Sequence, residues 1–324
     1  KPERFEREWA TSLSNYASHL SNLGRSEEAA EKALQALEIR EKHARAKPER
    51  FEPEWAISLN NYSNRLGDLG RSEEAAEKAL QALEIWEKLA RAKPERFEPE
   101  WATSLSNYSN RLGDLGRSEE AAEKARQALE IWEKLARAKP ERFEPEWATS
   151  LSNYSNRLGD LGRSEEAAEK ALLALEIREK LACAKPERFE DTYLLARMLA
   201  AETSWLAGKA PLVTLDLVSR HLTPRMEHLL NYRECFFAAF STQEQGKICE
   251  AISRADACWA KLDAAQKHAE KAYMLLLAGL AESKQIECAH NREWRETLAL
   301  YCKQRNGRLP SWMIEVASRG GFSL

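Results

Sequence analysis

The stretch KPERFEPEWAISLNNYSNRLGDLGRSEEAAEKALQALEIWEKLARA, residues 47–92, decides the fold, because the chain repeats it. Its opening hexapeptide Lys-Pro-Glu-Arg-Phe-Glu begins at Lys1, Lys47, Lys93, Lys139 and Lys185, a constant step of 46 residues. Residues 93–138 and 139–184 differ only at Arg126/Leu172, Gln127/Leu173, Trp132/Arg178 and Arg137/Cys183. A fixed period of this length marks a repeat architecture. Near-identity indicates recent duplication, and the scattered drift, heaviest in residues 1–46, argues against a designed consensus.

Each unit divides into two helices. In residues 47–92 the first helix (helix A) is expected from about Pro53 to Leu69, since proline suits a first helical turn where its missing N–H costs nothing. Trp55, Leu59, Tyr62, Leu66 and Leu69 alternate steps of four and three, which gives one apolar stripe about 80° wide at roughly 100° per residue. Gly70 ends the helix. Ser72 is expected to cap the second helix (helix B), with Glu73 and Glu74 at its positive end. Ala75, Ala79, Ala82 and Trp86 form an inner stripe whose small side chains let the two helices approach closely. Glu74–Lys78 and Glu84–Lys88 have the i,i+4 spacing of surface ion pairs, and Pro94 and Pro99 bracket the turn into the next unit. One hairpin cannot bury its own apolar face, so neighbours must stack. Phe51 and Trp55 are the expected packing residues between units. Position 86, occupied by Arg40 and Arg178 in other units, is expected at the periphery, where an arginine stem can lie along apolar surface.

The chain's 49 basic and 52 acidic residues give a net charge of -3, which makes no electrostatic case for nucleic acid or an anionic membrane. Its longest apolar run, from about Ala272 to Ala281, is roughly half of what a membrane-spanning helix needs, and no signal peptide opens the sequence. Of the six cysteines, Cys183, Cys235, Cys249, Cys258, Cys288 and Cys302, no two form a Cys-x-x-Cys pair. This usage fits reduced thiols in a cytoplasmic protein. Cys288 and His290 would need two further zinc ligands that local spacing does not supply, so no metal or cofactor is expected. Phosphate-loop, His-Glu-x-x-His and Gly-x-Ser-x-Gly signatures are all absent. Cys235 and His228 share a helix face but lie two turns, about 10 Å, apart, which points to structural roles and to a chain that is not an enzyme.

Ser58, Leu59, Asn60, Asn61 and Tyr62, followed by Leu66, Gly70, Arg71, Glu74, Ala75, Ala79 and Ala82, together resemble the tetratricopeptide repeat, in the longer form of kinesin light chains and many bacterial signalling proteins. The resemblance spans residues 1–190. It implies an all-α, tetratricopeptide-like helical solenoid, a right-handed superhelix of antiparallel helix pairs. The departures are a unit longer than the usual one of about 34 residues, and Tyr62 and Ser63 where the family often has Leu and a small residue. They suggest longer helices and a wider superhelix. Residues 1–190 are thus four near-identical repeats. Residues 191–324 lose the strict period and read as degenerate helical repeats with a C-terminal cap, with helices expected at 191–207, 211–221, 224–243, 247–263, 265–283, 287–304 and 310–318. Trp205 to Lys209 and Gln245-Gly246-Lys247 read as degenerate helix A endings. The sequence starts in linker phase and its first methionine is Met198, so the expectation is the C-terminal part of a larger protein.

The far face of helix A carries the functional expectation. With Trp55 as origin, Asn60, Asn61, Asn64 and Asp68 fall on the side opposite the apolar stripe. In tetratricopeptide arrays helix A lines the concave surface, so the resemblance implies a groove lined by Asn15, Asn61, Asn107 and Asn153, with Asn64, Asn110 and Asn156 beside them. Arg65, Arg111 and Arg157 flank that ladder, with Asp68, Asp114 and Asp160. An amide can both donate and accept, and so can pair with the backbone of an extended peptide without reading its sequence. A crowded concave face also favours small polar residues for packing alone, and duplication would copy them. The expected function is a protein- or peptide-binding sensor or scaffold, with a bacterial signalling or defence setting and an effector domain before Lys1. A self-associating structural scaffold without a groove ligand is the alternative.

Overall fold

The computed structural model describes residues 2–208, 224–262, 266–267, 270–286, 294–305 and 309–324. The chain forms two compact units, Lys1–Pro140 and Glu141–Leu324. The described residues contain helices and no strand, and consecutive helices pack in series as in a tetratricopeptide-like solenoid.

The first unit holds three helix pairs: α1 (Pro2–Asn22) with α2 (Ser26–Ala46), α3 (Pro48–Asp68) with α4 (Ser72–Ala92), and α5 (Pro94–Asp114) with α6 (Ser118–Ala138). Every helix is 21 residues long. A three-residue turn joins the two helices of a pair, and one lysine, Lys47 or Lys93, separates successive pairs. Gly70 makes the turn possible: its φ is 72°, a conformation in which a Cβ is unfavourable, and Arg71 N–H then donates to the Leu66 carbonyl at 2.9 Å, closing the helix end.

Helix A starts earlier than expected. It begins at Pro48, with Pro53 inside it. The reason lies in Phe51, which is 1% exposed. Its ring centroid is 5.6 Å from that of His43, and the Arg7 and Arg50 guanidiniums lie 5.1 and 5.0 Å from it. Burying a phenylalanine stabilises by about 1.5–3 kcal/mol, comparable to the cost of a helical proline, and Pro53 falls close to the N-terminal end of the helix. Pro94 and Pro99 likewise both lie within α5. Ser72 is the first helical residue of α4 and makes no cap hydrogen bond. Arg71 occupies the cap position and grips Glu74 through two hydrogen bonds of 2.7 and 2.5 Å. The expected i,i+4 pairs are replaced accordingly. Glu74 holds Arg71, and Lys88 reaches across its hairpin to Glu52 at 2.7 Å, a bridge repeated by Lys42–Glu6 and Lys134–Glu98.

In the second and third hairpins the serine that departed from the family pattern makes an internal tie, while the first hairpin has Ala17 there. Ser63 donates to the Ala75 carbonyl at 2.8 Å and Ser109 to the Ala121 carbonyl at 2.8 Å. Each ties helix A to the first turn of helix B. Pairs pack on one another through Leu59, Tyr62, Leu66 and the alanines of helices B, and Phe97 packs on Trp86 with centroids 6.0 Å apart.

The second unit begins with α7 (Pro140–Asp160) and α8 (Ser164–Ala184), the fourth repeat, and α9 (Pro186–Leu206). Then follow α10 (Pro224–Phe240), α11 (Gln245–Trp259), α12 (Lys271–Ser283), α13 (Trp294–Gln304) and α14 (Ser311–Gly320). The helix expected at 211–221 lies outside the described residues. Gln245, Gly246 and Lys247, read as a helix A ending, instead open α11; the cue was a lone Gly–Ala offset with no apolar stripe before it. Tyr232 and Phe236 of α10 meet Ile248, Leu275, Leu276 and Met313 in one core. Buried beside it, Arg233 pairs with Glu202 at 2.9 Å and Glu270 at 2.5 Å, and the Tyr273 hydroxyl donates to Glu202. Burial opposes the Arg233 charge, but Glu270, Tyr273 and Glu202 outweigh it and hold its pKa above the ordinary value. Burial raises that of Glu270, which Arg233 offsets only in part. Arg319 of α14 donates to the Trp205 and Leu206 carbonyls at 2.9 and 2.7 Å, satisfying the open end of α9.

Candidate functional site

The amides expected on helix A are available there. Asn15, Asn61 and Asn156 are exposed, and Asn64, Asn107, Asn110 and Asn153 are half-buried. Spacing of three residues sets Asn61 beside Asn64 and Asn107 beside Asn110.

The flanking charges are engaged within the protein. Arg65 pairs with Asp68 at 3.1 Å, Arg111 with Asp114 at 3.0 Å and Arg157 with Asp160 at 3.0 Å, each one turn apart. Asp68 also accepts from Ser21 of α1 at 3.1 Å. Arg111 lies against α3, where a Cβ added to Gly67 would fall 1.7 Å from its Nη1. Glycine at 67 therefore makes room for a guanidinium that ties neighbouring helices together. Asp160, expected on the open face, is buried. At that end of the hairpin, Ser311 of α14 lies 3.2 Å from where a Cβ on Gly162 would stand.

The position expected at the periphery is in fact central. Trp86 is 3% exposed, and Arg40 and Arg178 are each 8% exposed. This residue of helix B forms the floor of a notch between two successive helices A. In the notch between α1 and α3 the floor is Arg40, which donates to Ser58 Oγ at 2.8 Å and Thr11 Oγ1 at 3.3 Å. Burial lowers its pKa and Glu54 opposes that, and arginine stays charged throughout. A second arginine, Arg7, crosses the same notch to Glu54.

The notch between α3 and α5 is different. Trp86 is its floor, Ile57 and Pro99 are apolar walls, and Asn60, Asn61, Thr103 and Glu100 supply polar atoms around a space of about 250 Å³. Asn60, placed by its position on the open face, is buried, with Nδ2 3.5 Å from Ser104 Oγ and Oδ1 without a hydrogen-bond partner. Pro53 stands where α1 has Arg7. Glu100 therefore makes no ion pair among the described residues, and Arg96, one turn earlier, lies over Phe97 at 4.8 Å instead.

In the second unit the notch between α7 and α9 has the arginine floor again. Arg178 donates to the Pro145 carbonyl at 3.0 Å, to Thr192 at 3.3 Å and to Thr149. Burial lowers its pKa, opposed by Glu146. Beside it opens a space of about 350 Å³ reaching Arg233 and Glu270. The signal for these floors was in the sequence as an Arg/Trp exchange at one repeat position, which reads as surface drift unless both side chains are given one buried place.

Cys235 is buried, and burial pushes its thiol up to about 11, the reverse of what a nucleophile needs. Cys288 and His290 lie outside the described residues. No helix among the described residues is long and apolar enough to cross a membrane.

Residues 101–136 match the tetratricopeptide repeat family. No curated protein matches the chain. Among solved structures, a Podosopora anserina protein described as a kinesin light chain with nearly identical TPR-like repeats aligns at 20% identity with a TM-score of 0.45, over 64% of this chain and 89% of that one.

Proposed function

We propose that this chain, a tetratricopeptide-repeat protein, grips an extended segment of a partner protein along the open face of its helices A. Such repeats mediate protein–protein interaction or scaffolding and are typically not enzymes. The observation that carries the finer reading is the set of amides at Asn61, Asn64, Asn107 and Asn110, none with a side-chain hydrogen bond among the described residues, while the charges beside them are paired internally. Open amides offer donors and acceptors at regular spacing, the requirement for holding a peptide backbone. The bacterial signalling or defence setting, with an effector domain in the same gene, belongs to this proposal and rests on the resemblance, and the cytoplasmic setting rests on the cysteine usage.

The test is selection of binders from a random peptide library on the immobilised chain, followed by calorimetric titration. The triple variant Asn61→Ala, Asn107→Ala, Asn153→Ala is expected to lose roughly 1.5–4.5 kcal/mol if each hydrogen bond contributes about 0.5–1.5 kcal/mol and the losses add, with the thermal melt nearly unchanged. Replacing Glu84, Glu130 and Glu176 on the outer face by alanine should leave binding intact. The opposite pattern would place the working surface on helices B.

A further inference from the structure

We infer that the notch between α3 and α5 is a receptor for one arginine side chain, so that the segment bound along this face is basic at that position. The inference rests on the peptide-gripping reading and names the chemistry of its partner.

The molecule itself shows what such a notch accepts. Two other notches of the same build each hold a guanidinium supplied from their own floor. Arg40 is bonded to Ser58 and Thr11, and Arg178 to Thr149, Thr192 and the Pro145 carbonyl. In both, hydroxyl acceptors surround the charge, joined by a carbonyl at Arg178, and an acidic residue stands nearby, Glu54 for Arg40 and Glu146 for Arg178.

The α3–α5 notch has lost both cations and one acceptor: Ile57 stands where the first notch has Thr11 and the last has Thr149, while Ser104 stands where the first has Ser58. Trp86 replaces the floor arginine and Pro53 replaces the arginine that crosses the first notch. Left behind are the Glu100 carboxylate without an ion pair among the described residues, the buried Asn60 Oδ1 without a hydrogen-bond partner, and Thr103 Oγ1, which donates to the Pro99 carbonyl at 3.0 Å and keeps its lone pairs to accept. A buried acceptor without a donor is costly, and the exposed Glu100 carboxylate beside it gives the opening a negative charge.

A guanidinium answers each of these groups at once. Its edge carries five donors, and its faces are weakly hydrated and pack on aromatic and apolar surface, here Trp86, Ile57 and Pro99. An ammonium has neither the fork nor the flat face. The space of about 250 Å³ falls just below the ~300–1,000 Å³ typical of small-molecule pockets, the scale of a single side chain. Anionic segments are disfavoured by Glu100.

The probes are two capped peptides, Gly-Ser-Arg-Ser-Gly and the same sequence with citrulline, which keeps the shape and removes the charge. The full chain carries 5-fluorotryptophan, and the Trp86 fluorine resonance, assigned with Trp86→Phe, is followed on titration. The arginine peptide is expected to shift that resonance saturably and the citrulline peptide to bind at least about fivefold more weakly. Glu100→Gln should weaken arginine binding severalfold. Trp86→Arg restores the occupant found in the other notches, and binding, followed by amide resonances, should disappear while the melt stays near that of the parent chain. If that variant does not fold, Glu100→Gln, an exposed change, carries the test. Equal binding of both peptides, no shift with either, or arginine binding indifferent to Glu100→Gln would overturn the inference. Asn64→Ala with Asn110→Ala, at amides that do not line the notch, separates the two proposals. Equal binding of both peptides, lost in this double variant, sinks the arginine inference and leaves backbone gripping intact. Arginine-selective binding that the double variant retains does the reverse.

Discussion

The periodic repeats and the helices beyond residue 190 reach stability by opposite routes. The repeats use the same few contacts again and again: a serine tying helix A to the start of helix B, a lysine–glutamate bridge across each hairpin, and alanines that let helices close up. None of these is worth more than about 1 kcal/mol singly. The later helices instead converge on one aromatic core and one buried charge cluster, Arg233 with Glu202 and Glu270. Stability summed over neighbours tolerates local loss, whereas a buried ion pair is strongly penalised when one member is removed.

Arg233→Ala should therefore give the largest effect, about 3–5 kcal/mol from stranding two buried carboxylates. Hydrogen exchange is expected to accelerate across α10 and α12 while α1–α6 stay protected; uniform acceleration would show that the two regions unfold as one. A smaller cost, about 1 kcal/mol, is expected for Ser109→Ala, which leaves the Ala121 carbonyl short of one donor, with any exchange change confined to α5 and α6. Smallest of all is Lys134→Ala. The lysine end of its bridge to Glu98 is solvent-exposed, though Glu98 itself is largely buried, and the melting free energy should move by no more than about 1 kcal/mol. A loss above 2 kcal/mol there would mean that the hairpin bridges act as a network, and the contrast between the regions would shrink.

The sequence showed the helix pairs, the Gly70 turn and the inner alanine stripe, because these depend on local periodicity and on conformations only glycine adopts readily. It misplaced the helix A start, since Pro53 is a local stop signal that the burial of Phe51 overrides. It misassigned the partners of Glu74 and Lys88, which are decided by the turn and the hairpin rather than by i,i+4 spacing. On the far face of helix A the exposed or half-buried asparagines were legible from angle alone. The notch floor was not, because whether Arg40 and Trp86 point inward depends on the helix of the next repeat. Asn60 shows the same limit: its angle placed it with Asn61, and the approach of Ser104 from α5 buried it.

Between α2 and α3, α4 and α5, α6 and α7, and α8 and α9 stands one lysine, with φ of −144° to −146° and ψ of 76° or 77° each time. A joint of a single residue leaves no slack for partial insertions, so among the products of recombination between copies only gains or losses of whole units keep the helices stacked in register. Every such exchange carries its floor residue with it intact. Unequal crossing-over thereby becomes an editing device: the order of arginine and tryptophan floors can be rewritten without a new point mutation, and the face offered to a partner can diversify faster than the fold that supports it.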